Sequence, residues 1–594
     1  MKFPQALGSR IRNAIWEAGL LLALPLAFYR GFAEQFSTPK FFLTKCLIIS
    51  GLTFWGLDWV WKPAVRRARF PLGLPLLAFS MAALTSCRTS PAPRFSLMEV
   101  EYMLCGPSWV LLLVSWGHGE SAVRRIAAFV GLAGGVVAGI TLLQRFGFDP
   151  VLWGGYQVDW GSMVARMRLY STFGNPNFVG GYLIGAIFPA LALGAASKAV
   201  WGRVLWLSFT FITLGGIVET GSRGAWLGLA AGAAAAALIW LPTSSSRPKE
   251  VPQGVSLGST KMFISSTVYG PVAILTLTMA QRLAAQLSGR FYLWRFSWPS
   301  FWKHPIVGSG WGAYQLINLE LQGNFLSSHP EYVGYWTNNR LLHNDPLQLL
   351  LETGLFGFAA FAWVLWKYGG EVLEVRRQAA GDWPRYAIAA SVGGVTAILT
   401  DSLFNYQFAV PPTYILLFTL LAIPNLLRDV VIETGSGSPP SPGPPAHASL
   451  RRVALKVAGS MAILLAAGGL FWQQTQVLAS ERSYQTGSDL EDRNNLAGAE
   501  VAFRRSVDLN DLNGRAHFGL SRVLYSLDRS SEALEEIVRA ERTYADSHEE
   551  VLRARILDQM GKSTEALAAY RHAFWLDPTL TSIQKDLQRL SHGY

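Results

Sequence analysis

The stretch Leu342-His343-Asn344-Asp345 stands at the mouth of an apolar run. It closes the longest polar segment in the hydrophobic part of the chain, Gln281 to Asp345. An imidazole near neutrality takes a proton from a hydroxyl, and a neighbouring carboxylate can orient the ring. His343 is therefore the candidate base, with Asn344 and Asp345 as candidate substrate contacts. The plainer alternative is an interfacial histidine capping the helix at 346. The other chemistry-bearing groups are cations. Arg223 falls in Glu219-Thr-Gly-Ser-Arg-Gly-Ala-Trp226, at a break between two apolar runs. An arginine at the centre of a membrane span costs on the order of 3 kcal/mol. At a helix break, Gly221 and Gly224 let the backbone turn and a ligand approach. With Ser222 as cap, the following helix N-terminus favours an anion, so a phosphate fits there. The plainer alternative is an arginine reaching to lipid headgroups.

Arg166 and Arg168 add positive charge to the loop 160–177, and Asn175-Pro176-Asn177 opens the next helix. Asn177 serves as a helix cap as readily as a sugar contact, and Asn175 shares that alternative. Arg290 and Arg295 are separated by Phe-Tyr-Leu-Trp. In a helix they lie about a turn and a half apart, not on one face, so at most one of them faces the site that Arg223 serves. His304 and His329 precede proline and read as turns. Gly308-Ser-Gly310-Trp-Gly312 has no strand-to-helix context and reads as a tight turn, not a phosphate fingerprint. Cys46, Cys87 and Cys105 show no ligand spacing and read as small core residues. With no metal-ligand pattern and no P-loop, the sequence favours chemistry that needs no metal, ATP or other cofactor.

These residues must be positioned by a membrane scaffold. Of the 594 residues, 51% are hydrophobic and only 15% charged, where a soluble protein carries roughly a quarter charged. A bilayer core of about 30 Å needs about 20 apolar residues per helix. Runs at 14–29, 41–61, 70–86, 98–116, 126–143, 177–195, 204–219, 222–242, 262–280, 346–366, 386–404, 410–427 and 452–472 predict an all-α polytopic protein of about 12–13 transmembrane helices. The net charge of +12 sits mainly between these runs, as membrane topology dictates, which argues against a nucleic-acid partner. The basic N-terminus and first run read as a retained helix, not a cleaved leader. With the N-terminus cytoplasmic, Lys and Arg alternate so that 144–176, the turn at Arg223, the loop 281–345 and everything after the last span fall outside.

Residues 428–451 hold a Pro/Gly/Ser-rich linker, ETGSGSPPSPGPPAHAS at its centre, that cannot form a core and is expected to be cytoplasmic. It separates a membrane domain, 1–427, from a last span at 452–472. From about 480 the chain repeats. Ala499-Glu-Val-Ala-Phe503 matches Ala533-Leu-Glu-Glu-Ile537 and Ala566-Leu-Ala-Ala-Tyr570 at offsets of about 34 and 33 residues, the period of a tetratricopeptide helix pair. A soluble helical-repeat domain is thus expected over 480–594. It serves either as a docking surface for a protein partner or as a plain helical cap. Gly561 suits the turn inside a pair; Asp528, at the corresponding place one copy earlier, departs from that pattern.

At these residues the chain resembles the O-antigen ligase and polymerase family, membrane glycosyltransferases acting on lipid-linked glycans. The resemblance rests on Ser171-Thr-Phe-Gly-Asn-Pro-Asn177, Gly221-Ser-Arg-Gly-Ala-Trp226, Arg290-Phe-Tyr-Leu-Trp294 running on to His304-Pro-Ile-Val-Gly-Ser-Gly310, and His343-Asn-Asp-Pro-Leu-Gln348 with Glu352-Thr-Gly354. It covers roughly residues 14–427. It implies a bacterial inner-membrane protein with its active face and C-terminal domain periplasmic. It implies transfer of a glycan from undecaprenyl diphosphate, with inversion, to lipid A core, a growing glycan or a protein hydroxyl. It implies that Arg223 and Arg290 bind the diphosphate and that His343 acts at the acceptor. Pro346 departs from the bulky residue expected after His-Asn-Asp, but fits the first position of a helix. Two non-enzymatic classes compete. A transporter would place charges deep in several spans and show internal symmetry; a membrane-anchored repeat scaffold would leave Arg223, Arg290 and His343 without a role.

Overall fold

A segment in lipid must satisfy its backbone internally, so the apolar runs fold as helices. The computed structural model describes residues 13–61, 70–117, 119–151, 169–240, 289–378, 381–432 and 450–591. Among them there is no strand. The membrane part comprises α1 (Asn13–Leu26), α2 (Ser37–Trp61), α3 (Gly73–Ser86), α4 (Pro93–Met103), α5 (Cys105–Trp116), α6 (Glu120–Arg145), α7 (Pro176–Ala196), α8 (Val200–Thr220) and α9 (Arg223–Trp240). The polar segment contributes α10 (289–297) and α11 (Tyr314–Ser328). Then come α12 (Asp345–Gln378), α13 (Asp382–Ser402), α14 (Pro411–Ile432) and the long α15 (Leu450–Asp492). Eight helical stretches among the described residues are long and apolar enough to cross a membrane. The span expected at 262–280 lies outside the described residues, as does the linker core 433–449. α3 has 14 residues, about 21 Å of helix, short of a full crossing.

The bundle closes tightly where glycines face each other. α7 is almost wholly buried, and small residues let backbones approach, as lipid-embedded helices require. Gly185 meets Ile398 and Leu416, and Gly228 on α9 lies against the Ala397 carbonyl of α13. α12 is not one straight rod: Gly354 sits at φ 63°, outside helical geometry, and breaks it. The loop 305–312 is laced to that break. Ser309 donates to the Leu351 carbonyl (2.9 Å), Gly310 to Glu352 (3.0 Å) and Leu355 to Pro305 (2.9 Å). The Glu352 carboxylate accepts from the Gly312 backbone N–H (2.9 Å) and from Gln348 (3.1 Å). The glycine-rich turn expected from sequence is therefore a bracket that holds the polar segment onto α12.

α15 runs 43 residues, about 65 Å, and passes through 472–480 without a break. A helix keeps its hydrogen bonds on leaving lipid, so nothing in the backbone marks the end of the span. The tail continues as α16 (Leu496–Leu509), α17 (Gly514–Ser526), α18 (Ser530–Ala540), α19 (Ser547–Gln559), α20 (Ser563–Leu576) and α21 (Gln584–Ser591). The repeat is visible in its core. Ala499, Ala533 and Ala566 are all fully buried, and so are Phe503, Ile537 and Tyr570. Asn494, Asp528 and Gly561, which share the repeat spacing, all have positive φ (59°, 58° and 76°). Asp528 is thus no anomaly: Asn, Asp and Gly are the residues that tolerate this left-handed turn.

The tail folds back onto the polar segment. Trp336 donates to the Leu576 carbonyl (2.9 Å), Trp575 to the Ser327 hydroxyl (2.9 Å), and the Arg340 guanidinium stacks on Tyr544 (4.5 Å). Arg94 pairs with Asp511 (2.8 Å) and Arg515 with Glu34 (3.4 Å).

Candidate functional site

Five chain segments converge at one end of the bundle. α9 begins at Arg223 because Gly221, at φ 58°, ends α8 in the left-handed conformation. The next residues pack so closely on α13 that a side chain at Gly224 would collide with the Asp401 carboxylate and the Asn405 amide. Asp401 is fully buried. It accepts from Asn405 (2.6 Å) and from Gln407 (2.5 Å). Asn405 in turn accepts from Arg290 Nη2 at 3.4 Å, which ties α10 to the same point. Burial holds the Arg290 guanidinium below its usual range; Asp401 opposes this and the nearby charge of Arg223 adds to it. The two arginines that carry the phosphate expectation are therefore close enough for their charges to interact, and the elements that bear them both pack against the buried Asp401–Asn405 pair.

Arg295 takes the other side of α10. It donates to the Tyr332 hydroxyl (2.7 Å) and lies over the Phe325 and Tyr332 rings. The helical spacing separates the two as expected, and Arg290 is the one that faces Arg223. Arg166 and Arg168 lie outside the described residues.

His343 sits on the loop before α12, at φ 52°. A residue other than glycine pays roughly 1–3 kcal/mol for a sparsely populated backbone and keeps it only where its surroundings impose it. Its ring meets Tyr406 edge-on, centroids 4.7 Å apart, and Nδ1 is buried with no hydrogen-bond partner in the protein. Burial first, and the charge of Arg290 second, push the imidazole down to about 4. The ring is thus neutral at pH 7, with a lone pair available to a hydroxyl. The carboxylate beside it in sequence does not hold Nδ1. Asp345 turns inward and accepts from the Phe408 backbone N–H (3.1 Å). Asn344 accepts from Leu347 N–H (2.9 Å) and caps α12. These two neighbours fix the backbone under His343 and the loop 403–410 that carries Tyr406.

At the α7 N-terminus the cap is Asn175, whose side chain accepts from Asn177 N–H (2.9 Å), with Pro176 at the first helical position. The sequence allows Asn177 as the cap, with a sugar contact as the alternative. The difference follows from Pro176: with no N–H to lose, it fits the first turn, so the residue before it takes the capping place. The Asn177 carbonyl is reached by Gln407 (3.4 Å), and Phe178 packs edge-on against Tyr406 (5.2 Å). Lys40, buried at the start of α2, anchors the same motif by donating to the Thr172 carbonyl (2.5 Å).

Asp401, Asn405, Tyr406 and Gln407 were not singled out from sequence. The signal was there: an acid near the end of an apolar span, followed within six residues by two amides and a tyrosine, is an intramembrane polar cluster, and such groups mark sites.

Residues 208–362 match the family model described as O-antigen ligase. The matched stretch contains Arg223, Arg290 and His343. A curated relative, the exopolysaccharide production protein ExoQ of Rhizobium meliloti (strain 1021), is 26% identical over 182 residues, which cover 26% of this chain and 40% of the relative. The chain thus spans about two fifths of that relative's length. A solved structure, the APC/C hetero-tetramer Cut9–Hcn1, aligns over 92% of this chain and 98% of its own at 14% identity, with a TM-score of 0.19, too low to bear on the fold.

Proposed function

We propose that this chain belongs to the O-antigen ligase and polymerase family and transfers a glycan from undecaprenyl diphosphate to an acceptor hydroxyl at the periplasmic face of the bacterial inner membrane. The observation that carries the reading is the convergence of Arg290, His343 and the start of α9, which bears Arg223, on the single segment 401–407. Two adjacent cations at a helix N-terminus suit a diphosphate, whose charge grows as it leaves. Asp401 positions Arg290 through Asn405, and its carboxyl group accepts from two amides. A neutral His343 takes the acceptor proton. The acceptor oxygen forms its bond to the anomeric carbon as the carbon–oxygen bond to phosphate breaks. The electron pair leaves with undecaprenyl diphosphate, and one direct displacement inverts the anomeric centre. Every step is carried by side chains, so the reading requires no metal or cofactor.

The test is a deletion strain complemented with the wild type, Arg223→Gln or His343→Asn. Asparagine tolerates the left-handed backbone at 343, so it removes the base and spares the loop. Lipopolysaccharide is separated by size, and total protein is probed for glycan. Both variants should reach the membrane and lose transfer, with lipid-linked glycan accumulating. Loss of all long chains from the core identifies a ligase, single repeat units on the core a polymerase, and loss of a glycoprotein band alone a protein O-oligosaccharyltransferase. Normal glycans in either variant overturn the assignment.

A further inference from the structure

Between the tail and the membrane part lies a cavity of about 470 Å³, within the usual size of a small-ligand site. Its floor is formed by α2, α4 and the residues around Arg340 and Tyr406. Its roof is the tail: α15 near Glu481, the turn at Asn513–Arg515 and the turn at Thr543–Ala545. We infer that the helical-repeat tail completes the acceptor site, and that this cavity holds a saccharide chain on its way to His343. The inference rests on the function proposed above.

Three observations point the same way. The cavity reaches Tyr406, whose ring packs on His343, but neither Arg223 nor Arg290 lines it; it serves the side of the base and not that of the phosphates. Its lining alternates ring faces, among them Phe41, Tyr102, Tyr406 and Tyr544, with amides such as Gln315 and Asn513. Sugars present apolar C–H faces to rings and hydroxyl edges to amides and carboxylates. Its three acids, Glu34, Glu99 and Glu481, are balanced by three bases, Lys45, Arg340 and Arg515. Arg515 pairs with Glu481 (2.9 Å) and with Glu34, so the cavity suits an uncharged polyhydroxyl chain better than an ionic ligand. An extended peptide would instead seek a strand edge, and no strand occurs among the described residues.

The experiment places the photoreactive p-benzoylphenylalanine at Tyr544 of the full-length protein in cells making the glycan, with the same residue at the exposed Val501 of the tail as control. Adducts are hydrolysed and analysed for monosaccharide and for peptide. Saccharide captured at 544 and not at 501 is the expected result. In parallel, Tyr544→Ala and Arg340→Ala are assayed in nanodiscs with the purified lipid-linked donor and the cell's own acceptor glycan. Loss of ring stacking should raise the acceptor KM about fivefold to tenfold and leave kcat within about threefold. Peptide adducts at 544, no adduct, or unchanged KM in both variants overturns the inference. If His343→Asn abolishes transfer in the same membranes, such a failure strikes only the role of the tail; if His343→Asn transfers normally, the proposed function itself falls.

Discussion

The state of His343 makes a kinetic prediction that differs sharply from that of an ordinary histidine. Its imidazole is held down to about 4 by burial and by Arg290, against about 6.5 for an unperturbed ring. A general base must be deprotonated in the free enzyme, and kcat/KM as a function of pH reports that ionisation. At pH 5.5 a ring with the lower value is about 97% neutral, whereas an ordinary histidine is about 9% neutral. Transfer should therefore retain about ten times more kcat/KM at pH 5.5 than an unperturbed base allows. The assay is initial-rate transfer in nanodiscs from pH 4 to 8 at constant ionic strength. The profile of kcat should differ. A bound diphosphate brings negative charge beside Arg290, which removes part of the depression and draws the acid limb of kcat upward relative to that of kcat/KM. An acid limb of kcat/KM centred near 6.5, or kcat and kcat/KM limbs that coincide, would refute the reasoning.

The same shift has a sign for stability. The folded chain resists protonating His343 while the unfolded chain binds the proton below about 6.5, so wild type should lose a few kcal/mol relative to His343→Asn as pH falls from about 6.5 toward 4; parallel thermal melts across that range would show the difference, and superimposable curves would remove it. Arg290→Gln should cut kcat by about a hundredfold or more, as loss of a charge-stabilising group does, and Arg295→Gln should stay within a fewfold because that guanidinium lies on aromatic rings. Asn175→Ala should cost about 1 kcal/mol through loss of the α7 cap, and Asn175→Asp should restore it in the same melt. Asp528→Gly should leave the melt of the tail nearly unchanged, whereas Asp528→Val should lower its stability by roughly 1–2 kcal/mol because φ is positive there.

What could be read from sequence was whatever depends on local pattern. Apolar length gives helices, and a 33–34-residue period gives stacked pairs whose matching Ala499, Ala533 and Ala566 are indeed buried together. The separation of Arg290 from Arg295 follows from helical spacing alone. What stayed hidden depends on long-range contact. Asn344 and Asp345 look like substrate ligands because they adjoin His343, yet each turns to a backbone N–H, one on its own helix and one on the loop 403–410. The acid near the end of a span marks a polar site, but no local pattern announces that Asp401 reaches Arg290, far away in sequence, through Asn405.

The position of the tail changes what its repeats suggest. Read alone, the repeats are a surface in search of a partner protein. Three features tie them to the site instead. α15 leaves the bundle as an unbroken helix, so the tail is carried on a rod with no bend to swing on. Trp336 and Trp575, one from each partner, then fasten the end of α20 to the polar segment through indole N–H bonds. Where the fit is loose, the gap is a pocket lined by both parts, and Tyr406 links that pocket to His343. A docking platform for a free-standing partner would leave its inter-repeat turns exposed. Here the turns at Asn513 and Tyr544 face the membrane part across the cavity, which is the arrangement of a roof. Detaching it by Trp336→Ala with Trp575→Ala should therefore reduce transfer while leaving the tail folded, and full activity in that double variant would return the repeats to the role of an independent domain.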